Sequence, residues 1–376
     1  MLRPVTLVCL AIGLMMDVRQ AQTAVTPEAR ATARVESGEI AGAKFTVAVP
    51  ANWNRRVLLI AHGYVPAERP LLTSFYPEQL AYRTLLKEGW LIAATSYRRN
   101  GMIVTDAMAD LEALRVHLVA QFGEPDRVIL LGESMGGLIV TLLCEQSSSS
   151  YAGALAIGAA LAIDEGGALI TPRREPQRPL LFLSNQSEVD GPAAYVDATA
   201  DHVSAELRPA LFRVSRDGHV NVNQLERLNA IRALDRWIDA GRSTLPTPPA
   251  KAAFFDATVG SLPVASLVTL NGQTGSFVAR ITDVSAAYGN VTLSAQPEDF
   301  RKAGIAPNTW FTLTAHGHDY RTFYGSDFSS VKKGEWVVFP NADGFFTLSR
   351  NYADAAGTAR LAVSDEITIN SLRPNR

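Results

Sequence analysis

The pentapeptide Gly132–Gly136, which reads G-E-S-M-G, constrains the fold of this chain more than any other feature. The apolar run 128–131 before it predicts a buried strand, and the apolar run 138–143 after it predicts a helix. A strand that turns at once into a helix holds the intervening serine in a strained backbone conformation. The pattern therefore predicts that Ser134 Oγ is exposed above a strand end, with a helix N-terminus behind it. The alternative is a tight strand–helix turn without a chemical role.

The region 33–243 alternates between predicted strands and predicted helices. The predicted strands span 44–49, 57–61, 90–95, 128–131, 152–157, 180–183 and 211–214. The predicted helices span 77–88, 104–122 and 224–238. Apolar strands separated by helices indicate an α/β fold, with a doubly wound, mostly parallel sheet covered on both faces.

The pattern changes in the Pro-rich stretch 244–254, which predicts a stiff extended linker. Short β-like runs separated by turn signals follow it, at 276–281, 290–293, 310–314, 336–339, 345–348 and 366–369. They predict a smaller β-rich second domain over residues 255–372.

The N-terminal residues 1–24 have the pattern of an export signal. Arg3 supplies a positive charge, and the apolar run 5–16 is too short to span a bilayer. We therefore expect a signal peptide at 1–24 and a secreted or periplasmic protein. Cys9 would leave with the signal, so Cys144 would have no partner and no intrachain disulfide is expected.

The remaining composition argues against several classes of partner. The formal net charge is −2 and no long basic run occurs, so nothing favours nucleic acid or an anionic membrane surface. No stretch after the signal is long and apolar enough for a transmembrane helix. His316 and His318 flank a glycine but have no apparent third ligand, so they predict a hairpin tip, and neither a metal nor a cofactor is expected.

A nucleophilic serine requires a general base and an acid that orients the base. In a strand–turn–helix setting, the chain order is serine, acid, histidine. His219 follows the last predicted strand and precedes the last predicted helix, from where it can reach back to Ser134. His202 lies in a probable helix and is predicted to be a surface residue.

The acid should follow the predicted strand 180–183. Glu188 and Asp190 both qualify, and Glu188 has the spacing at which such enzymes usually place the acid. Asp164 and Glu165, which follow the preceding strand, stay open as alternatives.

The developing oxyanion requires two backbone donors. One candidate is the N–H of Met135, directly after the serine. The other is the N–H of Tyr64 in His62–Gly63–Tyr64, which follows the strand 57–61. His62 is then predicted to be a structural hydrogen-bonding residue rather than a base.

These motifs resemble the α/β-hydrolase superfamily over residues 33–240, and most of all secreted esterase-like members with a Val-Pro-x-x-Trp-Asn entry, here 49–54. The resemblance implies a serine esterase that forms an acyl-enzyme intermediate. Tyr64 together with Ser134–Gly137 is also similar to cutinases and polyester hydrolases, and feruloyl-type esters are a further possibility. Only a small cap fits in 158–178, which favours an open cleft and bulky or polymeric esters. Glu188 departs from the more common aspartate.

The second domain resembles the C-terminal β domain of S-adenosylmethionine hydroxide adenosyltransferases. The matching positions are Gly275–Val278, Asp283, Tyr288–Asn290, Tyr324–Gly325, Gly334, Asn341–Gly344 and Asn351–Ala356. In that family the domain contacts the adenosylmethionine, but Ala342–Asp343 replaces a family Ser-Arg. We therefore interpret the module as a scaffold for substrate-surface or homo-oligomer contacts, and expect the first domain to act on small esters without it.

Other functions are compatible with the same residues. The hydrolase fold could be inert while the second domain binds a nucleoside-like ligand. A serine peptidase or a thioesterase would use the same acyl-transfer chemistry.

Overall fold

The computed structural model describes residues 33–147, 150–247, 254–260, 265–271 and 275–371. The predicted signal peptide at 1–24 and most of the predicted linker lie outside the described residues. Within the described ranges, every helix falls short of the length and apolar character of a membrane span.

A nine-stranded sheet forms the first domain. Its strands are β1 (Ala33–Ile40), β2 (Ala43–Pro50), β3 (Arg56–Ala61), β4 (Leu91–Thr95), β5 (Arg127–Glu133), β6 (Gly153–Ile157), β9 (Leu180–Asn185), β10 (Ala210–Val214) and β11 (Phe255–Asp256). Their order is β1-β2-β4-β3-β5-β6-β9-β10-β11. β2 pairs antiparallel with both β1 and β4. The seven strands from β4 to β11 in this order pair in parallel. A small hairpin of β7 (Ile163–Glu165) and β8 (Ala168–Ile170) fills the predicted cap segment.

Helices cover both faces of this sheet. They are α1 (Leu80–Lys87), α2 (Thr105–Phe122), α3 (Met135–Cys144), α4 (Asp190–Ala198) and α5 (Gln224–Ala240). Side chains alternate along β3: Val57 and Leu59 pack in the core under α2 and α3, whereas Leu58 and Ile60 pack in the core under α1 and α5. The predicted doubly wound α/β fold is confirmed, and its parallel strands are apolar because both faces are buried.

The second domain is a closed β structure. Its strands are β12 (Val268–Asn271), β13 (Ser276–Val284), β14 (Val291–Leu293), β15 (Trp310–Ala315), β16 (His318–Tyr324), β17 (Trp336–Pro340), β18 (Phe346–Arg350) and β19 (Glu366–Ser371). It also holds α6 (Pro297–Lys302) and α7 (Ala355–Ala359). The ring closes because β19 pairs with both β13 and β15. Phe300 of α6 is fully buried inside, against the rings of Phe277, Phe311, Tyr324 and Phe346.

The predicted boundary at residue 255 requires correction. β11 pairs with β10 of the first sheet, and the Phe255 ring lies 5.1 Å from the Phe212 ring. Val259 N–H donates to Glu226 Oε1 of α5 at 3.0 Å. At the other end of the predicted linker, Leu245 is buried in the first domain. Apolar contacts therefore hold the described ends of the linker on the first domain, which extends at least to residue 259.

The packing of α3 on β3 leads to a test with a matched pair of glycines. A Cβ on Gly136, the second residue of α3, would lie 2.1 Å from the Ala61 carbonyl oxygen. A Cβ on Gly191, the second residue of α4, would meet nothing within 4 Å. Gly136→Ala is expected to lower the free energy of unfolding by about 3 kcal/mol or more. Gly191→Ala should be neutral or stabilise by up to about 1 kcal/mol. Urea denaturation measures both; equal midpoints would contradict this packing.

Candidate active site

Ser134 occupies a strained turn between β5 and α3. Its backbone angles are φ 55° and ψ −115°, in a region that non-glycine residues seldom adopt. The turn is so tight that a Cβ on Gly132 would lie 2.1 Å from the Gly136 carbonyl oxygen. Small residues on both sides are therefore required, and they leave Ser134 at the carboxyl end of the central strand.

His219 lies in the loop that joins β10 to α5 and reaches Ser134. Its Nε2 lies 2.8 Å from Ser134 Oγ. Gly218 at φ 131° and Val220 at φ 54° give the loop the sharp bend that points the imidazole at the serine. A half-buried histidine is thus in direct hydrogen-bond contact with the strained serine.

Glu188 completes a chain of three side chains. Its Oε2 lies 2.6 Å from His219 Nδ1, and its Oε1 accepts the Val220 N–H at 3.1 Å. Glu188 is the last residue of the 3₁₀ turn Gln186–Glu188, which directly follows Asn185 at the end of β9. The two oxygens thus fix both the imidazole and the backbone of its loop.

The alternative acids lie elsewhere. Asp190 is the first residue of α4 and is exposed. Asp164 accepts the Gly167 N–H in the β7–β8 hairpin. Glu165 accepts the N–H groups of Val104 and Thr105 at the start of α2. None of these contacts involves His219.

Asn185 is a buried residue that sequence reasoning missed. Its Oδ1 accepts the Asn221 N–H at 2.8 Å, and its Nδ2 donates to the carbonyl oxygens of Arg216 and Asn221. It therefore ties the end of β9 to the His219 loop. Its sequence signal is weak: an asparagine two residues after the apolar run 180–183.

The pKa of His219 lies above its ordinary value. Burial lowers this pKa, but the hydrogen bond and the charge of Glu188 raise it, and Asp327 and Glu133 add to the rise. The net result favours the imidazolium form, which a general base must accommodate once it has taken a proton.

The candidate oxyanion donors flank the serine. Met135 is the first residue of α3, so its N–H has no acceptor within the helix. On the other side, a Cβ on Gly63 would lie 3.1 Å from Ser134 Cβ, so the backbone that leads to Tyr64 passes directly beside the nucleophile. A larger residue at position 63 would crowd the nucleophile.

His62 is buried, and its ring stacks on that of Tyr97 at 4.0 Å. Its Nδ1 lies 2.7 Å from the Gly63 carbonyl oxygen, so this nitrogen carries the proton. Burial lowers the pKa of His62, which favours the neutral ring. These contacts suit a residue that shapes the turn before Gly63.

The other histidines lie apart from Ser134. His202 Nε2 contacts the Arg174 carbonyl oxygen on the surface. His316 lies in the turn between β15 and β16, and His318 begins β16, so these two form a hairpin tip. Within the described ranges, no group of three or more His, Cys, Asp or Glu residues could hold a metal ion.

Two family models match the chain. The model described as "Serine aminopeptidase, S33" matches residues 99–189, which contain the serine turn. The model described as "SAM hydroxide adenosyltransferase C-terminal domain" matches residues 281–368. A search of curated proteins found no match.

Several solved structures are similar at low identity. An esterase of Pyrococcus furiosus is 17% identical, with a TM-score of 0.44, over 57% of this chain and 93% of that one. An acylaminoacyl peptidase of Pyrococcus horikoshii is 10% identical, with a TM-score of 0.43, over 55% and 42%. An uncharacterized protein of Thermotoga maritima is 18% identical, with a TM-score of 0.26; the match spans 33% of this chain and 46% of that protein.

The fold and the family models agree on the class of each domain. The chain joins a doubly wound α/β domain similar to α/β hydrolases to a domain similar to the C-terminal domain of S-adenosylmethionine hydroxide adenosyltransferases. The predicted resemblance to both families is confirmed. Hydrolase chemistry is thus the class that this fold supports.

The contact between Glu188 and His219 predicts a specific change in titration. Glu188→Gln should lower the pKa of His219, because it removes the carboxylate charge that raises this pKa, while burial continues to lower it. Asp190→Asn, two residues away, is the matched control and should leave the pKa unchanged. Nuclear magnetic resonance titration of the imidazole measures both, and an unchanged pKa in Glu188→Gln would contradict the contact.

Proposed function

We propose that this protein is a serine hydrolase that cleaves carboxylic esters through an acyl-enzyme intermediate. The observation that carries the proposal is the continuous hydrogen-bonded chain from Glu188 Oε2 through His219 to Ser134 Oγ. A hydrogen-bonded chain of this kind activates a serine that is otherwise a weak nucleophile.

The reaction takes place in two acyl-transfer steps. Ser134 Oγ attacks the ester carbonyl carbon while His219 Nε2 takes the hydroxyl proton, and the N–H groups of Met135 and Tyr64 bind the oxyanion. The tetrahedral intermediate expels the alkoxide, which receives that proton from His219. Water then attacks the acyl-serine with His219 again as base, and the acid and free serine are released. Glu188 keeps the proton of the imidazole on Nδ1 and stabilises the imidazolium.

Substrate size is the finer part of the proposal. Only the β7–β8 hairpin lies in the segment where larger caps are inserted, which supports bulky or polymeric esters, including polyester and feruloyl-type substrates. Peptides are competing substrates because the matched family model is described as a serine aminopeptidase, and thioesters compete because they undergo the same acyl transfer. A panel of p-nitrophenyl esters of increasing acyl length, thioesters, aminoacyl amides and polyester film ranks them by kcat/KM.

Ser134→Ala provides the first test. The variant should lose at least about 10⁴-fold in kcat on p-nitrophenyl esters, because no other group replaces the nucleophile. A fluorophosphonate probe should label the wild type and not the variant. A wild type that neither hydrolyses esters nor reacts with the probe would show an inert fold. A variant that keeps more than a few per cent of kcat would refute the role of Ser134.

The pH dependence provides the second test. The base must be neutral, and the pKa of His219 is raised, so kcat/KM should fall on acidification with a midpoint above the ordinary value of 6.5. Lowering the pH protonates His219 and removes the base, whereas raising the pH restores it. A midpoint below 6.5 in the kcat/KM profile would contradict the predicted direction.

A further inference from the structure

The second domain touches the first at the edge of the active site. The loop from 62 to 79, which we call the β3 loop, contains His62–Gly63–Tyr64 and also Arg69. The Arg69 guanidinium pairs with Asp354 of the second domain and donates to the Ala286 carbonyl oxygen. It also donates to the Ala287 carbonyl oxygen at 3.3 Å. One side chain of the β3 loop therefore has three partners in the other domain.

This ion pair is largely removed from solvent, with side-chain exposures of 16% for Arg69 and 19% for Asp354. Asp354 is itself fixed, because its Oδ1 accepts the Gly357 N–H at the start of α7. It also packs so closely on Gly289 that a Cβ there would lie 2.0 Å from Oδ1. Arg69 is thus bound to a rigid part of the second domain.

The contacts continue towards the serine. The Tyr64 ring meets the Tyr352 ring of the second domain edge-on, with centroids 5.3 Å apart. The Tyr288 hydroxyl lies near Ser74 and the Gly63 backbone. Burial raises the pKa of Tyr288, whereas its hydrogen bonds to Ser74 and Gly63 lower it. The second domain therefore contacts the β3 loop near Gly63 and Tyr64, and again near Ser74.

The first domain also holds the β3 loop, in part through Phe75, which is buried in its core. Between Ala61 and Leu80 the described backbone forms neither a helix nor a strand. Asn100 Nδ2 donates to the Arg69 carbonyl oxygen at 2.7 Å, and Gly101 N–H donates to the Val65 carbonyl oxygen at 2.9 Å. A long irregular loop gains a fixed conformation from contacts of this kind, and an oxyanion donor works only when it is preorganised.

The loop on the opposite side of the site, which carries His219, also contacts the second domain. Asn221 Nδ2, two residues after His219, lies 3.2 Å from the Pro340 carbonyl oxygen of the second domain. The two loops that flank Ser134, one with the proposed oxyanion donor and one with the base, therefore both contact the second domain.

We propose that the second domain helps to build the active site. Arg69, held by Asp354, positions the β3 loop so that the Tyr64 N–H faces the oxyanion. The inference rests on the proposed function, which assigns that N–H as a donor. Arg69 is a positioning residue that does not touch the substrate. The first domain alone is then expected to be a poor esterase, which reverses the expectation drawn from the linker.

The full-length chain offers a matched pair of variants for the test. Arg127 also has a side-chain exposure of 16% and pairs with Asp235 and Asp239, but it lies at the opposite end of β5 from Ser134, about 20 Å away. Arg69→Ala and Arg127→Ala thus each break an ion pair of similar burial. Arg69→Ala should lower kcat roughly 10- to 100-fold with KM within about twofold, whereas Arg127→Ala should keep kcat.

Two further measurements separate positioning from simple loss of folding. The inhibition constant of a trifluoromethyl ketone, which forms the oxyanion on Ser134, should rise by the same factor as kcat/KM falls in Arg69→Ala. Asp354→Asn should behave in the same direction, and Arg69→Lys should recover part of kcat. A normal kcat in both Arg69→Ala and Asp354→Asn, or equal losses in Arg69→Ala and Arg127→Ala, would overturn the proposal.

Hydrogen–deuterium exchange provides a readout that does not depend on activity. Peptides from the β3 loop should exchange faster in Arg69→Ala than in the wild type, and should be unchanged in Arg127→Ala. An inactive wild type would refute the proposed ester hydrolysis, while unchanged exchange in Arg69→Ala would refute the positioning of the loop.

Discussion

The site depends on one close backbone contact, that of α3 against β3. Gly136 lies so near the Ala61 carbonyl oxygen that no side chain fits between them. This contact sets where the helix begins, so the preceding serine must take a positive φ. The same approach brings the residues after Ala61 beside Ser134, where Gly63 leaves room for the nucleophile. The candidate nucleophile and both candidate oxyanion donors thus follow from the packing of one helix on one strand.

A second constraint is that the Glu188 carboxylate holds both the imidazole of the base and the backbone of its loop. Glu188 binds the imidazole with one oxygen and the Val220 N–H with the other. Asn185 links the same two loops from below. Glutamate has a longer side chain than aspartate, and here it starts from a 3₁₀ turn directly after β9.

Local patterns in the sequence predicted the first domain well, because its signals are short-range. Apolar runs marked the parallel strands, and G-x-S-x-G marked the turn at Ser134. β1 escaped prediction because most of its residues are exposed and their pattern is polar. The contact of Arg69 with Asp354 joins residues 285 positions apart, and no local pattern reports such a pair. For the same reason the sequence predicts a linker that separates two domains, although its described ends pack on the first domain.

The second domain contacts both loops that flank Ser134. Its residues 286–288 and 352–354 contact the β3 loop, and Pro340 contacts Asn221 in the loop that carries the base. In the proposed mechanism both domains therefore build the active site.

Ser134 is expected to carry the acyl group during turnover. This is tested by rapid-quench mass spectrometry with a p-nitrophenyl ester, followed by peptide mapping of the acylated chain. We expect one acyl group per chain, on the peptide that contains Ser134, formed within the time of the first turnover. Turnover of the ester with no acyl adduct, or with an adduct on another residue, would contradict it.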